Sequence, residues 1–467
     1  MNTPRGATPA AEQLTPVQVS ALNGDLAGTL VTPGPKGWDE ARAAWNLAAD
    51  QHPAAVAYVE TADDVAKVIA FARSNGLRVT AQGTGHGAVP GVALEGTILV
   101  KTERMNRVEI DAEEGVGRFE AGVIWREAGN AAAAHGLAGF PGSSPDVGIV
   151  GYTTGGGYSW LARRYGFACN NVRAIELVNA DAEIRRIDAE NEPDLFWALR
   201  GGGGSFAVVT AIEFNLVALP EVFAGSVIYP ASGEILHRYR EWTKRVPDEI
   251  TSIARFLHLP PLPDIPEPLR DRPLLTLAAC YAGPEAEGAA LIEPLRELGE
   301  PVMDLFTTMP PSELVTVHMD PEEPVLSLVH TASLRELPEE AVETFVQAAG
   351  PNSGSPLVIA ELRQAGGALA APAEGAGALS HLDAEFTFLG VGMPTTPESG
   401  EAIDRHIDAI CDALQPWSTG RRHLNFAYRP TEPDALFDPD TLTRLRGVKR
   451  RYDPDELIRA NHTIAIA

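Results

Sequence analysis

The run QGTGHGA at 82–88 carries one ionisable ring, His86, between two glycines. Its neighbours have no bulky side chains, so the imidazole is presented to whatever those glycines approach. Downstream, Gly142, Gly148, Gly151, Gly155, Gly156 and Gly157 fall within sixteen residues, interleaved with Val147, Ile149, Val150, Tyr152 and Trp160. Flexible linkers are glycine-rich too, but they carry Ser and charge rather than β-branched and aromatic residues. Glycine among residues of buried type marks backbone that approaches something closely, or dihedrals no other residue tolerates. Amides freed in this way can hydrogen-bond a phosphate or a flat polar ring. A tight packing turn is the bland alternative for either stretch; the occurrence of two such loops favours a ligand.

The elements that must position these loops follow from periodicity and punctuation. Residues 17–31 read as a short helix and an entry strand, and 38–45 as a helical or turn segment. The segment 54–59 alternates like a strand, and Thr61 opens a capped helix over 65–75. Strand 77–81 then runs straight into the His86 loop. Strands at 97–100 and 118–121 and an Ala-rich helix at 125–135 lead into the second glycine stretch. After it come a hairpin (173–179 with 183–187), a helix at 193–199, the run Arg200-Gly-Gly-Gly-Gly204 and a strand at 207–216. From about Val222, strands at 224–229, 251–257, 274–281, 325–330, 357–362 and 384–391 alternate with helices at 235–245, 284–298 and 398–414. That pattern predicts one antiparallel sheet covered by helices, and an α+β fold. Two glycine patterns imitate a dinucleotide fingerprint, at 83–88 and 202–207, but neither has a strand before it and a helix after it.

Taken together the two loops resemble the FAD-binding segments of the vanillyl-alcohol oxidase superfamily, with its PCMH-type FAD-binding domain, and in particular the berberine-bridge-enzyme-like oxidases. The matching patterns are a G-G-H loop after a strand and a downstream G-x-C-x-x-V-G-x-x-G-x-x-x-G-G-G-x-G-x-x-x-R-x-x-G. Val147, Gly148, Gly151, Gly155, Gly156, Gly157, Arg163 and Gly166 are in register. Thr84 stands where the first glycine of G-G-H would be, Ser144 where many members carry cysteine, and Ser159 replaces a glycine. The tail matches as well. His423-Leu-Asn-Phe426 resembles a Y-x-N-F/Y strand, the run 445–454 an R-L-x-x-V-K-x-x-Y-D-P, and 458–464 an F-R-x-N-[QH]-x-I with Ile458 for phenylalanine.

The resemblance implies an FAD cofactor held by Gln82, Gly83, Thr84, Gly85, His86 and Gly87 of the first loop. It adds Gly142, Ser144, Val147, Gly148, Gly151, Thr153, Thr154, Gly157 and Tyr158 of the second, Val208 and Val209 on the following strand, and Asn425 and Asn461 in the tail. His86 occupies the position that bonds the flavin 8α-methyl group, whereas Ser144 cannot form a thioether, so a single covalent bond is expected. Val147 occupies a position where valine accompanies reactivity with oxygen. A flavin oxidase also needs a group that accepts a proton beside the substrate. The candidates are Tyr428 and Tyr158, then His330 and His381, with Glu385 on a strand that sometimes bears a catalytic carboxylate. Tyrosines used as bases elsewhere in the family have no counterpart at His423 or in 436–438. The implied activity is oxidation of a small-molecule alcohol or amine carbon, with O2 reduced to H2O2. The alternatives are a dehydrogenase using another acceptor, a flavin-bearing cyclase or isomerase without net redox, and a non-catalytic binder, which would not need intact glycine loops.

At 467 residues the chain suits two domains. The expected division is a mobile tail at 1–15, an FAD-binding domain at 16–221 with its core from about 50, a substrate domain at 222–418, and a segment at 419–467 returning to the FAD domain. A net charge of −26 argues against nucleic acid or an anionic membrane as partner. Three widely spaced cysteines imply no disulfide framework. With no signal-peptide core, no apolar run of membrane-spanning length and no metal-ligand cluster, a cytoplasmic, metal-free enzyme of open oligomeric state is expected.

Overall fold

The computed structural model describes residues 14–34, 36–260, 265–270 and 272–466. Of the expected N-terminal tail, 1–13 lie outside the described residues. Thr15 caps the helix Pro16–Asp25, its hydroxyl accepting the Gln18 amide at 3.3 Å.

Three sheets organise the α+β fold. The first runs in the order Thr29–Val31, Ala55–Tyr58, Thr97–Lys101, Arg78–Gln82, Ile458–Arg459, and its inner pairings are parallel. Helix Ala62–Ser74 makes the crossover. Thr61 caps it, and Val65, Val68, Ile69 and Ala72 bury one face at helical spacing. Parallel strands end together, and ligands of such sheets gather outside their carboxyl ends. The His86 loop leaves the sheet there, after Gln82. The second sheet is antiparallel, in the order Val108–Asp111, Val116–Glu120, Val208–Asn215, Val172–Val178, Ile184–Ile187. The expected hairpin over 173–187 is part of it.

The third sheet has eight antiparallel strands. Its path is Met303–Asp304, Val222–Pro230, Pro273–Tyr281, Ile250–His258, Ile359–Gln364, Phe386–Gly392, Leu328–Leu334, with Thr307–Met309 beside the second of these. Helices Gly233–Thr243, Glu285–Arg296, Glu339–Ala349 and Pro397–Ala413 pack on one face against Phe256, Leu275, Leu277, Ala360, Leu362 and Phe388. Side chains alternate along a strand, so Arg255, Ile359, Glu361, Arg363, Leu389 and Val391 occupy the opposite face. Helix Glu339–Ala349 and the short edge strands were not expected from the sequence. The run 423–426, expected as a strand, is instead a single 3-10 turn, Leu424–Phe426.

The tail is locked by one buried pair. The Lys449 ammonium, fully buried on helix Pro439–Tyr452, donates to the Ser205 carbonyl (2.6 Å), the Ile458 carbonyl (2.7 Å) and the Asp453 carboxylate (2.6 Å). Asp453 in turn accepts the Leu457 and Ile458 amides at 2.8 Å. The K-x-x-Y-D-P motif therefore fastens the last strand to the glycine run at 201–204. Among the described residues, no helix is long and apolar enough to cross a membrane.

Candidate functional site

A cavity of about 370 Å³ lies between the two glycine loops, the third sheet and the tail. The glycines around it are of two kinds. A methyl group added at Gly83, Gly87, Gly148 or Gly204 would make ordinary contacts at 3.6–3.9 Å, and at Gly151 it would meet nothing within 4 Å. These five line the cavity, and their missing side chains are part of its volume. A methyl at Gly157 would instead lie 2.5 Å from Ala168 Cβ and 2.7 Å from the Tyr152 ring, at a φ of +79°. Gly156 and Gly155 are similarly hemmed in by Leu379, His423 and Asn425. The triplet is a packing turn. Asn425 holds it, its carbonyl accepting the Gly157 amide at 2.7 Å and its amide donating to the Tyr152 carbonyl at 3.0 Å.

His86 stands at the cavity wall with its ring stacked on Trp45, centroids 3.9 Å apart. Its Nε2 is 3.0 Å from the Asp146 carboxylate, and Asp146 also accepts the Ser144 hydroxyl at 3.0 Å. Burial pushes the Asp146 carboxyl up, but His86 and Ser144 outweigh it and hold the group below its ordinary value. Thr84, which interrupts the expected glycine pair, ties the loops together. Its hydroxyl accepts the Gly148 amide at 3.4 Å and its carbonyl accepts the Trp45 amide at 3.2 Å. The Asn461 side chain donates to the Gly87 carbonyl.

Most residues singled out in the sequence meet at this cavity. Gln82, Gly83, Thr84, Gly85, His86, Gly87, Gly142, Ser144, Val147, Gly148, Gly151, Thr154, Tyr158, Val209, Asn425, Tyr428 and Asn461 line it. Three do not. Thr153, one helical step from Thr154, is buried with its hydroxyl donating to the Ile149 carbonyl at 2.6 Å. Val208 precedes Val209 on a strand, so it faces the apolar cluster behind. Gly157 sits in the packing turn.

Several of the suggested bases are also displaced. His330 alternates with the cavity residue Val329, and its buried ring faces helix Pro397–Ala413, 3.9 Å from Asp408. His381 bonds the neighbouring Ser380 hydroxyl. Glu385 is exposed, ahead of its strand. Tyr158 is on the wall, but its hydroxyl donates to the Gln364 carbonyl at 2.7 Å. Burial raises its pKa, and raises that of Tyr428 to about 12.

The wall supplied by the third sheet contains a group of charges that no local motif announced. His318 places Nδ1 2.5 Å from Asp320 and Nε2 2.6 Å from Glu361. Glu361 accepts the Arg363 Nε–H at 3.0 Å. The Arg363 guanidinium lies over the Tyr158 and Phe426 rings, at 5.4 and 5.0 Å. Arg255, fully buried, is the register partner of Glu361 on the next strand. Burial pushes the Glu361 carboxyl up, yet Arg363 and His318 hold it far below its ordinary value.

Residues 53–188 match a protein family described as FAD binding domain. The chain carries an FAD-binding domain of this family. It is an FAD-linked oxidoreductase. One relative, the (R)-6-hydroxynicotine oxidase of Paenarthrobacter nicotinovorans, is 27% identical over 454 residues, covering 94% of this chain and 97% of that protein. Among solved structures, wild-type BBE-like 1 of Physcomitrella patens superposes with a TM-score of 0.81 at 18% identity, over 96% of this chain and 99% of that one. The glucooligosaccharide oxidase of Acremonium strictum, whose FAD is 6-S-cysteinyl and 8α-N1-histidyl, gives 0.80 at 21%, over 96% and 99%. The resemblance read from the two loops thus holds for the domain and for the fold.

The residues present fit FAD. Gly83, Gly87, Gly148, Gly151 and Gly204 leave open space where side chains would stand, so backbone amides can meet a dinucleotide directly. His86 Nε2 faces Asp146, which leaves Nδ1 as the ring nitrogen free of that carboxylate. Asn425 and Asn461 do not simply await a ligand, since each fastens a loop that lines the cavity.

Proposed function

We propose that the protein is an oxidase that removes hydride from a hydroxyl- or amine-bearing carbon of a small molecule and passes the electrons to O2. FAD, when bound, supplies the two-electron acceptor for that hydride and the route to dioxygen. The observation that carries the reading is the cavity itself: glycine backbone and His86 on one wall, an apolar sheet face with a buried charge cluster on the other. Relatives named for oxidising 6-hydroxynicotine and glucooligosaccharides support small-molecule chemistry. This reading divides the chain into an FAD-binding part at 16–221, a substrate part at 222–418 and a returning tail at 419–467.

His86 is the single point of covalent attachment. The Asp146 carboxylate, 3.0 Å from Nε2, favours the proton on that nitrogen and the lone pair on Nδ1, while Ser144 supports Asp146 and offers no thiolate. Val329, Ile359, Leu389 and Val391 exclude water from the apolar side of the substrate. Purified protein should show a flavin spectrum that persists with the denatured chain and is lost from denatured His86→Ala. Anaerobic addition of 6-hydroxynicotine, maltotriose, benzylamine or benzyl alcohol tests the chemistry: one of these should bleach the flavin, and air should restore it. Bleaching restored only by an artificial acceptor would make the enzyme a dehydrogenase, and release of all flavin from the denatured wild type would remove the covalent bond.

A further inference from the structure

We propose that Asp320 is the catalytic group that accepts the substrate's O–H or N–H proton, and that His318, braced on Glu361, is the residue that positions it. The inference rests on the oxidase reading and names the proton acceptor that the reading requires.

An acceptor must line the cavity, be deprotonated at neutral pH and have a free lone pair. Tyr158 donates its hydroxyl proton to a carbonyl, and Tyr428, with its pKa near 12, keeps its own. His462 donates its Nε2–H to the Ala427 carbonyl at 2.7 Å, and burial lowers its pKa, so its remaining nitrogen is a poor proton acceptor. His86 faces Asp146 and Trp45. Both nitrogens of His318 are engaged by carboxylates. Asp320 remains. Its side chain is one-fifth exposed, while that of His318 is nearly closed off.

The local backbone supports a built site. Met319, between His318 and Asp320, holds φ at +57° and is itself exposed. A left-handed non-glycine residue costs on the order of 1 kcal/mol or more and persists where the surroundings enforce it. Here it lets two adjacent polar side chains turn inward while the apolar one between them turns out.

The proton count is also informative. A carboxylate only accepts, and a neutral imidazole has one N–H. Two short contacts from one imidazole to two carboxylates therefore require both ring protons. The charges facing Asp320 are His318 on its own loop, with Arg255, Glu361 and Arg363 from the sheet; Tyr428 approaches from the tail, and the Ser143 hydroxyl also bonds the carboxylate. Burial pushes Asp320 up, but His318 outweighs burial and the group stays below its ordinary value. Asp320 is thus ionised throughout the physiological range. In the reaction the substrate X–H bond breaks, its proton going to Asp320 and its electron pair forming C=X as the carbon gives up hydride to the two-electron acceptor. Asp320 then returns the proton to solvent through its exposed edge.

The test uses the flavin-loaded enzyme and whichever of the four compounds above bleaches it, followed anaerobically by stopped flow. In Asp320→Asn the limiting reduction rate should fall at least about 100-fold, with flavin content unchanged. In the wild type that rate should be flat from about pH 5 upward. In His318→Asn the acid limb should move to higher pH, because the positive neighbour is lost while burial remains. Independently of turnover, ¹⁵N-histidine spectra should show one doubly protonated ring at pH 7, absent in His318→Asn. A rate within a few-fold of wild type in Asp320→Asn, a wild-type rate that climbs into alkaline pH, or a singly protonated His318 ring would each overturn the proposal. If none of the compounds bleaches the flavin, the oxidase reading fails, whereas the spectra still judge the Glu361–His318–Asp320 chain.

Discussion

On one side of the cavity Gly83, Gly87, Gly148 and Gly151 present bare backbone, and His86 is the one ionisable side chain contributed by the first loop. On the other side stand Val329, Ile359, Leu389 and Val391 of the sheet, with Asp320 and Arg363, which His318 and Glu361 link. Backbone recognises what every member of a family shares, a phosphate chain and a ring system. Side chains set what each member does with its own substrate. Buried charges also cost solvation that hydrophobic residues would not. Their retention in a sheet whose other face is apolar favours a role in chemistry over one in stability.

The first way to break this comparison is to exchange the two kinds of glycine. Gly151→Leu projects into open cavity and sits in the helix Ile149–Thr154. It should leave the fold as stable as wild type, since leucine is a better helix former than glycine. Flavin incorporation should drop by about tenfold or more, because the cofactor must occupy the cavity before His86 can hold it. Gly157→Ala should do the reverse. A methyl against Ala168 Cβ at positive φ combines overpacking with backbone strain, together worth about 3 kcal/mol. Urea unfolding and the flavin-to-protein absorbance ratio separate the outcomes. If Gly157→Ala lost flavin with no loss of stability, the triplet would be part of the cradle after all.

The two walls also differ in how far they can be read from sequence. The glycine wall is local. His86 and its glycines fall within five consecutive positions, and the second loop lies within one stretch, so types and spacing identify them. The same logic overreached at Thr153, Gly157 and Val208, which follow the motif but point away through helical rotation, steric closure and strand alternation. The charged wall is not local. Asp320 and Tyr428 lie on loops and Glu361 on a strand, and they meet only once segments far apart in the chain are packed together. Asp146 was within sight, inside the second loop, and a carboxylate two residues from the position of an expected cysteine was a usable signal. For Met319, whose unusual backbone turns its neighbours inward, no signal existed.

A second test concerns His423, where the family pattern has tyrosine. The ring is fully buried and stacked on Phe167 at 5.2 Å. Burial first, then Arg363, lowers its pKa from 6.5 to about 3. The unfolded chain therefore binds a proton near pH 6.5 that the folded one refuses until about pH 3. Stability from this group is complete above pH 6.5 and is lost as pH falls toward 3, by roughly 1.4 kcal/mol per unit. His423→Phe should be nearly neutral at pH 8 and more stable than wild type by about 2 kcal/mol at pH 5, measured by urea unfolding at both. An equal effect at the two pH values would show that His423 does not titrate in this window.

Val147 tests the border between the walls. It is half-buried on the cavity surface. On the oxidase reading, an added methylene there would fill space that oxygen must enter, at a cost of about 1–3 kcal/mol to whatever needs that space, or roughly 5- to 150-fold in rate. Val147→Ile should slow reoxidation by air by about tenfold and leave reduction by substrate within twofold. Equal slowing of both half-reactions would reduce Val147 to ordinary packing.

The smallest expected effect is the most discriminating. Tyr428 lines the cavity beyond the Asn425 turn, and sequence alone made it the leading base. A base must shed its proton before it can take another, and burial with Asp320 nearby lifts the Tyr428 hydroxyl to about 12. At pH 7 it is a donor. As a donor it can hydrogen-bond substrate or Asp320, and the net worth of such a bond is about 1 kcal/mol, a few-fold in rate. Tyr428→Phe should therefore slow anaerobic reduction by no more than about fivefold, without moving the acid limb of the pH profile. A loss of about 100-fold or more, the scale of a positioned base, would return the proton to the tail side of the cavity. The contrast between a backbone wall that binds and a side-chain wall that reacts would then have to be redrawn around Tyr428.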